Sequence, residues 1–196
     1  MGQNFYKRDD RDLRFVLYEQ LSIERLLDLD AYRDFTREDF DMILSQAQKI
    51  AAGVMAPTFQ DGDREGARFE GGRVTAPKSF HDVWKVFQEG GWFALATKQD
   101  FGGQGLPLVI AEAAQEFFVA ANFAFGCYAG MGPGNGAMIE KYGTPELKDR
   151  FLWKMYDGTW SGSMCLTEPA VGSDAHMVST KATPDGDLYR IQGTKI

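Results

Sequence analysis

Met164-Cys165-Leu166-Thr167-Glu168-Pro169-Ala170-Val171-Gly172-Ser173-Asp174 is an apolar run that breaks into a turn ending Gly-Ser-Asp, and the chain changes character around it. An extended segment carries alternating N–H and C=O groups along its edge, a pattern suited to pairing with a flat heterocycle. Thr167 adds a hydroxyl that donates or accepts. Gly172 has no side chain to block close approach, and Ser173 offers both N–H and O–H to an anionic oxygen. The same residues also suit an ordinary β-turn in which Glu168 and Asp174 cap backbone amides. Physical chemistry alone leaves both readings open.

Upstream of Gly158 the signals are helical. Thr36 followed by Asp39 is a capping box with Asp in place of the usual Glu, and Phe40, Ile43, Leu44, Ala47, Ile50, Ala51 and Val54 then share one face ahead of Pro57. Phe80, Val83, Trp84 and Phe87 repeat the pattern up to Gly90-Gly91. Pro107 predicts a first helical position before Ile110, Ala113, Ala114, Phe117, Phe118 and Ala121. A further helix is expected over 127–142, and Thr144-Pro145-Glu146 opens another that stops at Gly158. Residues 12–34 predict one or two short helices, and residues 60–76, rich in Asp, Gly and Arg, an exposed loop.

Downstream the period shortens. Trp160 to Thr167 reads as a strand, and Val178–Thr183 and Leu188–Ile191 as two more around Pro184-Asp185-Gly186-Asp187, where Pro presets φ and Gly takes positive φ. The expected class is mainly α: an N-terminal helical domain over 1–158, then the first strands of a β domain over 159–196. Three strands leave open edges, so the β region reads as incomplete.

Composition narrows the function. With 44% hydrophobic and 25% charged residues among 196, the chain can bury a core. A net charge of −7 argues against nucleic acid or an anionic membrane as partner, while backbone amides can still bind a small anion. Cys127 and Cys165 fit neither a disulfide framework nor a metal spacing, so no metal is expected and a reduced, cytoplasmic setting follows. The first twelve residues lack the apolar core of a signal peptide. Leu106 to Met131 is interrupted by Glu112, Gln115, Glu116 and Asn122, which predicts a buried helix pair rather than a membrane span. Nucleophile triads, phosphate loops and dinucleotide fingerprints are missing.

Four ordered blocks carry a resemblance. Leu166-Thr167-Glu168-Pro169 with Gly172-Ser173-Asp174 resembles the signature of the flavin-dependent acyl-CoA dehydrogenases. Phe101-Gly102-Gly103-Gln104-Gly105-Leu106 resembles that family's glycine loop before a long helix, and Lys141-Tyr142-Gly143-Thr144-Pro145-Glu146 its turn between helices. Thr180-Lys181-Ala182 and Ile191-Gln192-Gly193-Thr194-Lys195 resemble the hairpin that follows. The blocks span residues 36–196. The segment 5–35, with Phe15-Val16-Leu17-Tyr18-Glu19, is similar to the larger, 3-methylmercaptopropionyl-CoA dehydrogenase-like subgroup. Val171 and Met177 depart from the family pattern, which has small residues at both places.

The resemblance implies an N-terminal helical domain followed by an incomplete β-barrel, FAD as cofactor and an acyl-CoA thioester as substrate. It places Met164, Cys165, Leu166 and Thr167 at the flavin ring and Gly172 and Ser173 at the pyrophosphate, with Ser173 also near the CoA moiety. Glu168 and Asp174 are expected to hold the turn. No catalytic residue is assigned within the chain, because the family's general base lies in a C-terminal helical domain. The chain is thus expected to be a truncated or cleaved N-terminal portion, inactive alone. The whole enzyme would pass electrons to an electron-transferring flavoprotein and form a homo-oligomer. Alternatives are an acyl-CoA oxidase or flavin monooxygenase on the same scaffold, or a short non-catalytic subunit completing a partner's flavin site.

Gly126, Gly130 and Gly134 recur every four residues and share one helical face. Each costs roughly 1 kcal/mol against alanine in a helix, so the stripe asks for a reason. Close helix packing, or a helix starting only after Pro133-Gly134, would account for it. The resemblance favours the other account, in which this face lines the acyl pocket and bare glycines keep it wide.

Overall fold

The Thr36 capping box forms as read: the Thr36 hydroxyl accepts from the Asp39 N–H at 3.2 Å, and the Asp39 carboxylate accepts from the Thr36 N–H at 2.8 Å. It opens α2 (Arg37–Ile50), which buries Phe40, Leu44, Ala47 and Ile50 and widens into a π turn at Ala51–Met55. The computed structural model describes residues 6, 7 and 9–196. Part of the first twelve residues, and the start of the 5–35 segment, therefore lie outside the described residues. The chain divides into two units, one ending at Gly162 and one over Ser163–Ile196.

In the first unit, α1 (Arg11–Arg14), a π turn (Phe15–Gln20) and a 3₁₀ turn (Ile23–Asp28) lead up to α2. Leu17 and Ile23 are buried, and Asp41 of α2 receives the Arg14 guanidinium and, at 2.9 Å, the Tyr18 hydroxyl. The region 60–76 is not the plain loop expected. It holds α3 (Phe59–Glu65) and a hairpin of β1 (Arg68–Glu70) and β2 (Arg73–Thr75). Gly71 and Gly72 both take positive φ, which closes that hairpin in two residues.

The rest of the unit is α4 (Lys78–Glu89), α5 (Leu108–Ala121), α6 (Phe123–Tyr142) and α7 (Pro145–Tyr156). Pro107 caps α5 from outside instead of occupying its first turn. The sixth helix starts at Phe123 rather than 127, because buried Asn122 accepts from the Phe125 N–H at 3.1 Å and donates to the Thr58 hydroxyl at 2.9 Å. It runs through Pro133, so a start after Pro133-Gly134 is excluded. Phe87 ties the core together, its ring centroid 4.7 Å from Phe118 and 5.1 Å from Phe125. Burying a side chain of this size contributes roughly 1.5–3 kcal/mol.

In the second unit β3 (Lys181–Asp185) pairs antiparallel with β4 (Leu188–Gln192). Gly186 and Asp187 make the turn, so Pro184 sits in the strand instead of in the turn. The strand expected over Trp160–Thr167 is absent, since no described strand lies alongside to pair with it. Only Glu168 and Val171 form an isolated bridge. The third strand begins at Lys181 instead of Val178, because the amides of Ser179 and Thr180 are taken by the Glu168 carboxylate. The chain is mainly α, a helical domain followed by the start of a sheet region.

Candidate ligand-binding site

The glycine loop before α5 folds back on its own chain. Leu106 N–H donates to Leu95 C=O, Gly105 N–H to Thr97 C=O and Gln104 N–H to Ala94 C=O, at 2.9–3.0 Å. These bonds hold Leu95, Ala96 and Thr97 along the edge of a cavity of about 510 Å³. Helix α5 contributes Leu108, Ala111, Glu112 and Gln115 to it, and α6 contributes Ala129, Gly130, Pro133, Gly134, Ala137 and Glu140. Tyr156 closes one side, donating to Glu140 Oε2 at 2.9 Å, while Glu140 Oε1 lies 3.4 Å from Lys98 Nζ. Burial, then the bond to Glu140, pushes the Tyr156 hydroxyl above its ordinary range, so it stays a donor.

The glycines of α6 separate by role. Gly130 and Gly134 border the cavity with open space where a Cβ would stand, whereas Gly126 lies outside its lining, buried 3.7 Å (ideal Cβ) from Val119 Cγ2. Close packing belongs to two others. A Cβ on Gly132 would stand 3.1 Å from the Trp160 carbonyl, and one on Gly136 2.7 Å from the Tyr156 ring. Leu95–Thr97, Glu112, Gln115, Glu140 and Tyr156 were not singled out as site residues from sequence. Glu112 and Gln115, two of the three polar side chains on otherwise apolar α5, were the available signal.

In the second unit, the N–H groups of Met164, Cys165, Leu166 and Thr167 have no partner among the described residues, and all four residues are exposed. Their carbonyls are used at Leu166, which accepts from Lys195 Nζ at 3.0 Å, and at Thr167, which accepts from Ile196 N–H at 2.9 Å. Gly172 has open space at its Cβ position, and Ser173 and His176 are exposed. Glu168 is buried and takes five hydrogen bonds, from both N–H and hydroxyl of Ser179 and of Thr180 and from Lys195 Nζ. The Ser179 hydroxyl foremost, then Thr180 and Lys195, hold its carboxyl far below the usual range. Val171 is buried beside it, while Met177 is exposed. Both cysteines are free and exposed. Among the described residues no helix is long and apolar enough to cross a membrane, and no group of His, Cys, Asp or Glu is placed to hold a metal ion.

These elements define a helical domain with a built cavity, joined in sequence to the first strands of a sheet region. The family model for the acyl-CoA dehydrogenase, N-terminal domain, matches residues 37–159. A 3-methylmercaptopropionyl-CoA dehydrogenase of Ruegeria pomeroyi is 33% identical over 192 residues, covering 97% of this chain and 33% of that protein. A butyryl-CoA dehydrogenase of Syntrophomonas wolfei is 34% identical over 201 residues, covering 100% and 33% respectively. Among solved structures, an acyl-CoA dehydrogenase complexed with FAD from Bacillus anthracis has the same fold, with a TM-score of 0.66 over 83% of this chain and 26% of that one at 23% identity. The chain belongs to the acyl-CoA dehydrogenase family. It spans about one third of the length of the curated relatives it matches.

Proposed function

We propose that this chain is the N-terminal portion of an FAD-dependent enzyme that dehydrogenates the α,β-bond of an acyl-CoA thioester. The observation that carries the reading is the cavity itself, with apolar residues on one side and the bare glycines Gly130 and Gly134 on the other. A volume of about 510 Å³ lies within the usual range for small-molecule sites.

The residues of the second unit suit FAD. Four consecutive N–H groups on exposed residues, without partners among the described residues, can serve a heterocycle's acceptors, and Gly172 leaves room for a close approach. In this reading Met164, Cys165 and Leu166 present backbone groups to the flavin, and Thr167 its hydroxyl. Gly172 and Ser173 receive the pyrophosphate, and Ser173 also meets the CoA moiety. Bound FAD supplies a two-electron hydride acceptor for the β-position. The first unit binds and orients the acyl group, with Gly130 and Gly134 on the substrate side and Gly126, which packs against Val119, outside the lining. The α-proton requires a carboxylate base, and Glu168 does not qualify: its oxygens are committed to five donors, which hold it as a structural anion. The base is assigned to a C-terminal helical domain, the reoxidant is an electron-transferring flavoprotein, and the whole enzyme is a homo-oligomer.

Titration of the purified chain with FAD and with acyl-CoA thioesters tests this. Saturable acyl-CoA binding that depends on the acyl group, with no turnover and no stoichiometric flavin, is the expected result. Stoichiometric FAD on this chain alone would contradict the assignment of half a flavin site. In the intact enzyme, electron transfer to dioxygen rather than to a flavoprotein would move the assignment to an oxidase.

A further inference from the structure

We propose that the cavity beside α5 and α6 selects by charge, admitting acyl thioesters with neutral tails and turning away those that end in a carboxylate. The proposal rests on the acyl-binding reading above and names the substrate class within it. The lining contains two carboxylates, Glu112 and Glu140, and no Lys, Arg or His. The two differ in how far they are compensated. Glu140 is bonded to Tyr156 and faces Lys98, whose side chain is 72% exposed and lies outside the lining. Glu112 is exposed at the rim of the cavity and has no hydrogen-bond or ion-pair partner among the described residues.

An anionic tail entering this space meets a like charge with no cation in the lining to receive it. The Tyr156 hydroxyl is already committed to Glu140. The Thr97 hydroxyl is bonded to Tyr156, and what remains is the Gln115 amide, a donor suited to a neutral polar atom and too weak to hold a carboxylate against Glu112. A neutral alkyl tail meets instead Phe87, Phe93, Leu95 and Leu108 and the space left by the glycines.

The experiment compares hexanoyl-CoA with adipoyl-CoA, which share the CoA moiety and the six-carbon acyl chain and differ in the terminal carboxylate. Binding to the 196-residue chain is read by calorimetry and by fluorescence of Trp92, which lines the cavity. Hexanoyl-CoA is expected to bind at least tenfold more tightly. Glu112→Gln should narrow that ratio at least threefold, and Glu112→Lys should bring adipoyl-CoA level with hexanoyl-CoA or ahead of it, with unchanged far-UV circular dichroism. Equal affinities in the unsubstituted chain, or a ratio indifferent to both substitutions, overturn the charge selection and leave the acyl-binding reading standing. Absence of saturable hexanoyl-CoA binding overturns that reading and this inference together.

Discussion

Glu168 and Lys195 lie 27 residues apart in sequence and meet at 3.0 Å, with the Glu168 side chain 3% exposed. The carboxylate thereby joins the turn to the end of the chain and, through Ser179 and Thr180, to the approach to β3. Its folded-state acidity is strengthened by those donors, so its contribution to stability is fully present above the unfolded-state value of about 4.3. That contribution fades as the pH falls below it. The second unit should therefore loosen in acid while the helical unit persists. Amide exchange at Ser179 and Thr180 measured from pH 7 to pH 3 checks this, with protection falling below about pH 4.3. Glu168→Gln should show the same loss already at pH 7, since an amide cannot accept from all five donors. Exchange rates at these two amides that ignore both the pH and the substitution would show that other contacts hold the turn.

The glycines of α6 give a pair of opposite signs. At Gly134 a Cβ meets nothing within 4 Å, so Gly134→Ala gains helix propensity, about 0.5–1 kcal/mol. At Gly136 the Cβ would sit 2.7 Å from the ring of Tyr156, which is buried and anchored to Glu140. Overpacking of this kind costs about 1–3 kcal/mol, which outweighs the same propensity gain. Thermal unfolding should shift upward by roughly 2–4 °C per kcal/mol for Gly134→Ala and downward for Gly136→Ala. Two shifts of the same sign would mean that the packing of α6 on Tyr156 is looser than described.

How much of this was legible in the sequence follows from the range of each interaction. The caps at Thr36 and Thr144 and the apolar faces of α2, α4, α5 and α7 are local, and each was readable from spacing. Asn122 failed as a signal because its role depends on Thr58, 64 residues away, and the helix start moved with it. The strand expected near Trp160–Thr167 failed for a related reason: an apolar extended segment is a strand only where a partner is present. In the glycine stripe, four-residue spacing correctly put Gly126, Gly130 and Gly134 along one side of a helix. It could not say that the facing elements differ along the helix length, with Val119 and Gln115 opposite Gly126 and the cavity opposite the other two. The glycines used for packing, Gly132 and Gly136, were hidden by that more regular pattern.

Gly130 sets the width of the cavity. With nothing within 4 Å of its Cβ position, Gly130→Leu adds an isobutyl group to open space rather than to the core, so the fold should survive. Bulky or long acyl groups should lose binding by tenfold or more, and acetyl-CoA or propionyl-CoA should be little affected. Titration of the substituted chain with a series of acyl-CoA thioesters reads this out. An equal loss for every chain length would return the glycine to a packing role.

Asp41 anchors the segment ahead of α2. It accepts from the Arg14 guanidinium and from the Tyr18 hydroxyl, and Arg37 lies over the Tyr18 ring at 4.4 Å. Burial first, then Asp41, pushes the Tyr18 hydroxyl above its ordinary range, so it donates across the physiological span. Arg14 and Asp41 are each about one third exposed, which places their pairing between a surface ion pair and a buried one. A double-mutant cycle with Arg14→Ala and Asp41→Ala should give a coupling of about 0.5–2 kcal/mol in urea unfolding. Because Leu17 and Ile23 remain buried, the single substitutions should speed proteolysis near Leu29–Asp34 without unfolding the helices behind it. Strictly additive effects in the cycle would assign the docking of this segment to Leu17 and Ile23 alone.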